Sequence, residues 1–457
     1  MVTIPRSWIA ATLLLALLPA ADQEGVPSLP DIVILLTDQQ QADAMGDAPG
    51  LRTPSMNQLA REGVRFNRAY CATPQCSPSR SALLTGRYPH RTGVMGNVAE
   101  RGTPAGMSPP LDRTIPGLGR LLTNAGYETA YFGKWHLGND PGSYGFQTHQ
   151  ANRGHELTEP VLSFLRARRE TGKQRRPLFL MVSWLNPHEI YEIQQHAAAA
   201  RPSDFPLPKN LVDDLSQKPL PQRIFLEEDQ GKPFRAYTRE DWKRYQAFYH
   251  DLTERVDKEI GQVVRKTRGD NPNTVVVFSS DHGDLGGAHG LPFKGPAMYE
   301  ELVRVPLVIS WPGKIPPSVS AALVSNLDIL PTLCEAAGIK SPGDIDGRSL
   351  LPILMGKAQI SSWRDAVFVE YYGKQDWRVP IRMIRTNSWK YVRYLHYGEE
   401  LYDLASDPYE LRNLAGSREH DARRKELGAR LNRWMTDTRD PFLQLTVTDR
   451  NGKRIDD

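Results

Sequence analysis

The side chains best suited to chemistry follow short apolar segments, at the point where each segment ends. Asp38 and Gln39 follow the first apolar run, and Asp281 and His282 follow the run TVVVFSS. Apolar runs of this kind are typical of strands buried in a parallel sheet, whose carboxyl ends share one edge. Carboxylate and amide oxygens favour a hard divalent cation, whereas a histidine nitrogen suits transition metals better. The sequence predicts a metal site at this edge and leaves the metal open.

Basic side chains follow two further apolar runs. Lys134 and His136 come after the run at 128–132, and His188 comes after the run at 178–184. If the strand continues through Lys134 and His136, both side chains lie on one face. A lysine beside a histidine suits binding of an anionic group and proton transfer to it. Taken alone, Gly133-Lys134-Trp135 also fits an exposed loop.

Cys76 and Arg80 lie four residues apart in Cys76-Ser77-Pro78-Ser79-Arg80, and on a helix they share a face. The cysteine then stands at the positive end of the helix, where anions bind. The alternative is a buried cysteine that acts as a small hydrophobic residue. Its polar neighbours weaken that alternative.

This pentapeptide resembles the C-x-P-x-R signature of the type I, formylglycine-dependent sulfatases of the alkaline phosphatase-like superfamily. Similar stretches extend from residue 31 to about residue 414. They are Gly133–Gly138 (GKWHLG), Asn186–His188, Ser280–Gly283 (SDHG), Gly290–Lys294, Tyr299–Glu301, Arg304–Leu307, Glu400–Leu404 and Asp407–Leu414. The order and number of these matches make the resemblance specific.

The resemblance implies a sulfuric ester hydrolase that a sulfatase-maturating enzyme activates by oxidising Cys76 to formylglycine (3-oxoalanine). The hydrated aldehyde would supply the hydroxyl that attacks sulfur and a second hydroxyl that expels sulfate. The family's metal ligands map onto Asp38, Gln39, modified Cys76, Asp281 and His282. Calcium is the usual ion, with magnesium or manganese as alternatives. Many members carry Asp at position 39 and Asn at position 282, and the loss of one negative charge at Gln39 predicts weaker cation binding.

The family's catalytic roles map onto six residues. Cys76 supplies the nucleophile, and Arg80 with the cation favours its ionisation. Lys134, His188 and Lys294 would hold the sulfate oxygens, with His188 or Lys294 protonating the leaving alcohol. His136 would take the proton of the second hydroxyl.

Two other functions remain open. Phosphonate monoester or phosphodiester hydrolases of the same superfamily share the formylglycine, and Gln39 and His282 keep that alternative alive. A non-catalytic protein that binds sulfated glycans would follow if Cys76 stayed a thiol. The joint presence of Arg80, His136 and Lys294 argues against this last alternative, because a binder needs no such set.

The elements that must position these residues predict an α/β fold: a large, doubly wound, mostly parallel sheet sandwiched by helices, with a smaller C-terminal α+β domain that contains an antiparallel sheet and a helix. We expect a signal peptide at 1–21, a catalytic domain at 22–360 with a surface insertion at 196–239, and a C-terminal subdomain at 361–457. Predicted strands lie at 31–36, 128–132, 178–184, 274–280, 305–311, 366–372, 381–386 and 391–397. Predicted helices lie at 54–62, 115–125, 160–170, 240–266, 327–337 and 418–435.

Composition narrows the function further. The chain has 457 residues, is 40% hydrophobic and 24% charged, and carries a net charge of +4, which is too mild to indicate a nucleic-acid partner. Arg6 before a short apolar run predicts export to the periplasm or the medium, with an uncleaved anchor as the alternative and no stable membrane span afterwards.

The three cysteines exclude a disulfide scaffold. We favour Cys71 and Cys334 as small core residues, although a disulfide between them remains open. An exported enzyme of this kind fits a sulfated small molecule or glycan, and we favour a sulfated carbohydrate. Candidates for an anionic-sugar pocket are Arg153, His155, Arg235, Arg239, Trp242 and Trp377.

Overall fold

An eight-stranded sheet organises the larger part of the protein. The computed structural model describes residue 1 and residues 29–46, 50–99, 107–152, 154–170, 175–196, 206–358 and 360–455. Apart from Met1, the predicted signal peptide lies outside the described residues, as do Arg153 and residues 197–205 of the predicted insertion. The strands are β1 (Asp31–Asp38), β2 (Val64–Tyr70), β3 (Glu128–Gly133), β4 (Thr148–Ala151), β5 (Leu178–Pro187), β6 (Thr274–Ser280), β7 (Leu307–Ser310) and β8 (Ser318–Ser325).

The strand order is β4-β3-β5-β1-β6-β7-β2-β8. All strands run in one direction except β7, which is antiparallel to β6 and to β2. The predicted mostly parallel sheet is confirmed, but grouping the run at 305–311 with the parallel strands was wrong. An apolar run indicates that a strand is buried on both faces, but it does not indicate the direction in which the strand runs. The connection from β6 to β7 returns to the sheet edge at which it starts, so the two strands are antiparallel.

Helices cover both faces of this sheet. They are α1 (Pro54–Arg61), α2 (Cys76–Thr85), α3 (Pro89–Thr92), α4 (Leu118–Asn124), α5 (Thr158–Glu170), α6 (Ile193–His196), α7 (Leu220–Glu228), α8 (Arg239–Asp270), α9 (Glu300–Val303), α10 (Ile329–Ala336) and α11 (Leu351–Leu354). In the described part of the chain, no helix is both long and apolar enough to cross a membrane.

Strand β1 shows why its sequence is apolar throughout. Ile32 and Ile34 face a core that contains Leu330 of α10, whereas Val33 faces a second core that contains Ile260 of α8. Every side chain of β1 is buried because alternate residues enter opposite cores. The polar residues at its carboxyl end therefore emerge at a fixed place on the sheet edge.

The second sheet contains β9 (Ala366–Lys374), β10 (Trp377–Thr386), β11 (Trp389–Tyr394) and β12 (Gly398–Asp403), all antiparallel, in the order β12-β11-β10-β9. Helix α12 (Asp421–Thr438) packs on it through Leu427 and Leu431, which share a core with Ile384 and Tyr391. The predicted α+β character is confirmed. Strand β12 escaped prediction because its sequence, GEELYD, is mostly polar.

The described part of the predicted surface insertion is not confined to the surface. Gln222 and Lys218 are buried. The Gln222 amide donates to the hydroxyl of Tyr394 at 2.9 Å and accepts from that of Tyr299 at 2.6 Å. Lys218 Nζ donates to the Tyr402 hydroxyl at 3.0 Å. These polar side chains suggested exposure in the sequence, but in the fold they are buried together with their hydrogen-bond partners.

The cysteines are all free and buried. Cys71 and Cys334 lie in the core of the larger sheet and form no disulfide, as favoured from the sequence. Cys76 differs from both, because it begins helix α2 at the sheet edge.

Candidate active site

The carboxyl ends of β1, β3, β5 and β6 meet the amino end of α2 at one edge of the larger sheet. Ligand atoms of Asp38, Cys76, Asp281 and His282 lie within 4.8 Å of one another, and all four residues are buried. The predicted convergence of strand ends therefore exists in the fold. One imidazole nitrogen, two carboxylates and a sulfur atom converge on a single point.

The orientation of this cluster fits a divalent cation. Asp281 Oδ1 accepts hydrogen bonds from the backbone N–H groups of Gln39 at 3.1 Å and His282 at 2.9 Å, which fix the carboxylate. His282 Nδ1 lies 2.8 Å from the carbonyl oxygen of Gly283. A proton on Nδ1 satisfies that contact and leaves the lone pair of Nε2 directed at the cluster, as a metal ligand requires.

Gln39 completes the cluster through its side-chain oxygen. That oxygen accepts from Lys294 Nζ at 2.9 Å, and the amide nitrogen donates to Asp284 Oδ2 at 2.7 Å. Gln39 has a φ of 70°, a strained conformation that is found often at functional sites. Burial raises the pKa of Asp284 to about 6, although hydrogen bonds from Gln39 and Tyr245 oppose the shift. Asp284 orients Gln39, a role that the sequence gave no reason to assign.

Arg80 lies behind the cluster. Its guanidinium donates to Asp281 Oδ2 at 2.9 Å, to Asp38 Oδ2 at 3.0 Å and to Ser183 Oγ at 2.7 Å. It also donates to the carbonyl oxygen of Lys134 at 2.7 Å. The helix spacing predicted that Arg80 and Cys76 share a side of α2. On that side, the Arg80 guanidinium points at the carboxylates of Asp38 and Asp281. Arg80 therefore positions the two acidic groups.

Positive charge surrounds the Cys76 sulfur. Lys294 Nζ lies 3.0 Å from Sγ, and His282 Nε2 lies 3.3 Å from it. Burial alone would raise the pKa of the Cys76 thiol, but positive charge, above all that of Lys134 and Lys294, outweighs burial and holds the pKa well below its usual value. Lys134 Nζ lies 2.6 Å from Asp38 Oδ2. A site that stabilises negative charge on residue 76 also suits an anionic ligand.

The two carboxylates titrate differently. Burial would raise the pKa of Asp38, but the positive charges of Lys134 and Arg80 outweigh burial and hold the pKa below its usual range. Burial and the neighbouring charge of Asp38 raise the pKa of Asp281. One of the pair is thus held firmly ionised, while the other depends on nearby positive charge.

His188 and His136 lie on the open side of Cys76. Burial, followed by the charges of Lys134 and Lys294, lowers the pKa of His188 to about 3. His136 has a φ of 56°, and within the described residues its Nδ1 has no hydrogen-bond partner. Strand β3 ends at Gly133, so the condition that the strand continues through Lys134 and His136 is not met. A turn, rather than strand alternation, brings both side chains to the site.

The cluster opens into a cavity of about 740 Å³, whose walls include Cys76, Lys134, His136, His188 and Lys294. Wall residues that the sequence did not mark include Tyr191, Gln230 and Lys374. Tyr191 lies three residues after His188, a spacing that could have marked it. Lys374 belongs to the second sheet, where no motif marks it.

Of the predicted anionic-sugar residues that the structure describes, none lines this wall. Trp242 and Trp377 are buried at 3% and 6% exposure, and Trp242 packs against Phe234 and Tyr245 instead. Arg235 and Arg239 are exposed outside the cavity. His155 lies at the rim, with Nε2 3.6 Å from Glu189 Oε1.

Comparisons with known proteins agree with this geometry. The Sulfatase family model matches residues 30–339, and the model for the N-sulphoglucosamine sulphohydrolase C-terminal region matches residues 287–437. A delta 4,5-hexuronate-2-O-sulfatase of Bacteroides thetaiotaomicron is 31% identical, with 95% of this chain and 94% of the relative covered. An ulvan-active sulfatase of Formosa agariphila is 30% identical, with 92% and 84% covered.

Solved structures give the same result. A 2-O GAG sulfatase structure is similar with a TM-score of 0.80 at 29% identity, with 92% of this chain and 95% of that chain covered. A phosphonate monoester hydrolase of Agrobacterium radiobacter shares the fold at a TM-score of 0.71 and 24% identity, with 94% and 99% covered. The sheet and its edge cluster thus define an enzyme of the alkaline phosphatase-like superfamily. Within that superfamily, the chain belongs to the sulfatase family, as its motifs predicted.

Proposed function

We propose that this sulfatase releases sulfate from a sulfated carbohydrate, with a formylglycine made from Cys76 as its nucleophile. The observation that carries the proposal is the surroundings of Cys76. Its sulfur lies within 3.3 Å of Lys294 Nζ and His282 Nε2, and it faces a cavity that Lys134 and His188 also line. Positive groups in fixed positions around one reactive atom stabilise developing negative charge on an ester.

A divalent cation, calcium by preference, belongs to the proposal. Asp38, Gln39, Asp281, His282 and residue 76 would hold it, because their donor atoms already converge. When bound, the cation would polarise the oxygen atoms at residue 76, and the hydrated aldehyde would supply the attacking hydroxyl. Arg80 keeps Asp38 and Asp281 in place for this purpose.

Proton transfer divides between Lys294 and His188. In the unmodified protein, burial lowers the pKa of Lys294, but the negative charges of Cys76, Asp38 and Asp281 outweigh burial and raise it; the two aspartates remain after Cys76 is converted. His188, with a pKa of about 3, is neutral in the ligand-free site. An anionic ester bound beside His188 raises the pKa of the imidazole, and either His188 or Lys294 would give the proton to the leaving alcohol. His136, whose side chain lines the cavity beside Cys76, is placed to take up a proton afterwards.

The carbohydrate substrate is supported by the relatives and by the cavity. The similar enzymes named above act on hexuronate and ulvan, and a volume of about 740 Å³ lies in the range of cavities that enclose molecules of drug size rather than a lone ion. The sequence of residues 1–21 supports export by a signal peptide, so we place the enzyme in the periplasm or the medium.

The test begins with the modification. Mass spectrometry of the peptide that contains residue 76 should show a loss of about 18 Da when the protein is made with a maturating enzyme. The Cys76→Ala variant should release no sulfate from an aryl sulfate, whereas Cys334→Ala, which alters a buried cysteine outside the site, should retain turnover. Sulfate release by Cys76→Ala would refute the proposed nucleophile.

The alternatives give different outcomes. Faster turnover of an aryl phosphodiester than of the matched aryl sulfate would assign the enzyme to phosphodiester or phosphonate chemistry instead. An unmodified Cys76 in protein from the native host would indicate a protein that binds sulfated glycans without cleaving them.

A further inference from the structure

Lys374 brings a positive charge from the second sheet into the active-site cavity. It is the last residue of β9, and its side chain lines the same wall as Cys76 and Lys294. The cavity is therefore lined from both parts of the protein, although all predicted catalytic residues belong to the part built around the larger sheet. A lysine in this position faces the substrate without touching the cluster at Cys76.

The partners of Lys374 within the protein are neutral. Its Nζ donates to the hydroxyl of Tyr191 at 3.2 Å and to Oε1 of Gln230. Among the described residues, it forms no ion pair with a carboxylate. The acidic side chains at the rim have other partners: Glu189 contacts Asn186, and Glu192 lies 3.5 Å from His196.

No carboxylate among the described residues therefore neutralises the ammonium group of Lys374. Burial, followed by repulsion from Lys294, lowers the pKa of Lys374 to about 7, and the attraction of Asp229 does not offset them. An anionic ligand group beside Nζ would reverse the shift, because an opposite charge favours the protonated form.

The position of Tyr191 sets an upper limit on the distance between the ammonium groups of Lys374 and Lys294. Lys374 Nζ lies 5.3 Å from the centroid of the Tyr191 ring, and Lys294 Nζ lies 5.8 Å from the same centroid. The His188 ring lies 5.0 Å from it as well. The two ammonium groups are thus separated by no more than the sum of the two lysine distances, which a sugar ring with charged substituents can span.

We propose that Lys374 binds a second anionic group of the substrate, so that the enzyme prefers sugars that carry a carboxylate or a further sulfate besides the ester it cleaves. The proposal rests on the carbohydrate sulfatase function proposed above and adds the charge pattern of the substrate. Because Lys374 does not contact the reacting atoms, it determines specificity.

The test measures binding in the Cys76→Ala background, where no turnover consumes the ligand. Calorimetry compares three disaccharides of equal size: one with a single sulfate, one that adds a uronate carboxylate, and one that adds a second sulfate. We expect at least one doubly charged ligand to bind more tightly than the monosulfate. The second substitution Lys374→Gln should reduce that ratio of affinities by roughly 10- to 100-fold, the range for loss of a charged hydrogen bond. Lys374→Arg should retain more of the ratio than Lys374→Gln.

Lys340→Gln, a change at an exposed lysine outside the cavity, serves as the matched control. If Lys374→Gln removes only the preference for the carboxylate ligand, the group bound by Lys374 is a uronate carboxylate. If it removes only the preference for the disulfate, the group is a second sulfate. An absence of preference for either doubly charged ligand, or a ratio that Lys374→Gln leaves unchanged, overturns the proposal. Sulfate release by the wild-type enzyme tests the underlying function separately, since the affinity ratio does not depend on turnover.

Discussion

Replacing Arg80 by glutamine should destabilise the metal-free protein by about 3 kcal/mol, the lower end of the range for breaking a buried ion pair. Arg80 is 1% exposed and pairs with both Asp38 and Asp281. We take the lower end because neither carboxylate would be left without a partner. Asp38 keeps Lys134 at 2.6 Å, and Asp281 keeps two backbone N–H donors.

Urea unfolding of the chelator-treated protein, followed by tryptophan fluorescence, gives the free energy of unfolding for each variant. Ser183→Ala is the matched control, because it removes one hydrogen bond to the same guanidinium and should cost about 1 kcal/mol. Arg80→Lys should fall between the two, since it keeps the charge but loses the fork that reaches both carboxylates. A cost for Arg80→Gln no larger than that for Ser183→Ala would refute the assignment of Arg80 as the group that positions the acidic pair.

Two further predictions concern groups outside the reacting atoms. Asp284→Asn should lower the affinity for calcium by about tenfold, because it releases the Gln39 amide that Asp284 holds at 2.7 Å; titration calorimetry measures this, and an unchanged affinity would contradict the positioning role. His90 links the two sheets through Glu370 at 2.7 Å and the carbonyl oxygen of Thr438 at 3.0 Å. Although burial opposes it, Glu370 raises the pKa of His90 above its ordinary 6.5, so its contribution to stability should be fully present below about pH 6.5 and lost as the pH rises through the raised value. His90→Gln should therefore cost more stability at pH 6 than at pH 9 in urea unfolding, and an equal cost at both would contradict the charged pair.

The convergence of these side chains at one sheet edge could be predicted because several of them follow strands that the sequence marks clearly. Asp38 and Asp281 come after wholly apolar segments, and parallel strands bring their carboxyl ends to one edge. Cys76 and Arg80 were related by helix spacing alone. The roles within the site could not be predicted in this way, because the direction of the Arg80 guanidinium depends on Ser183, a residue about one hundred positions away.

The cavity wall contributed by the second sheet could not be predicted from local sequence patterns. Lys374 ends a strand of the second sheet, and nothing near it in the sequence indicates that its side chain enters the cavity. The polar segment around Gln222 was misinterpreted for the opposite reason, since polarity suggests exposure unless the partners are known. Those partners, Tyr299 and Tyr394, are distant in sequence and become neighbours only when both sheets pack together.

The buried contacts of Gln222 and Lys218 bear on how enzymes of this kind can diversify. Both side chains come from the first half of the chain and bind tyrosines of the second, Tyr394 and Tyr402. A recombination event near residue 360 would join residues 1–360 to a foreign partner and remove the hydroxyl acceptors of Tyr394 and Tyr402, at a cost of about 1–3 kcal/mol each. Exchange of the C-terminal part alone therefore carries a stability cost. Single substitutions on the cavity wall change the site without disturbing these contacts.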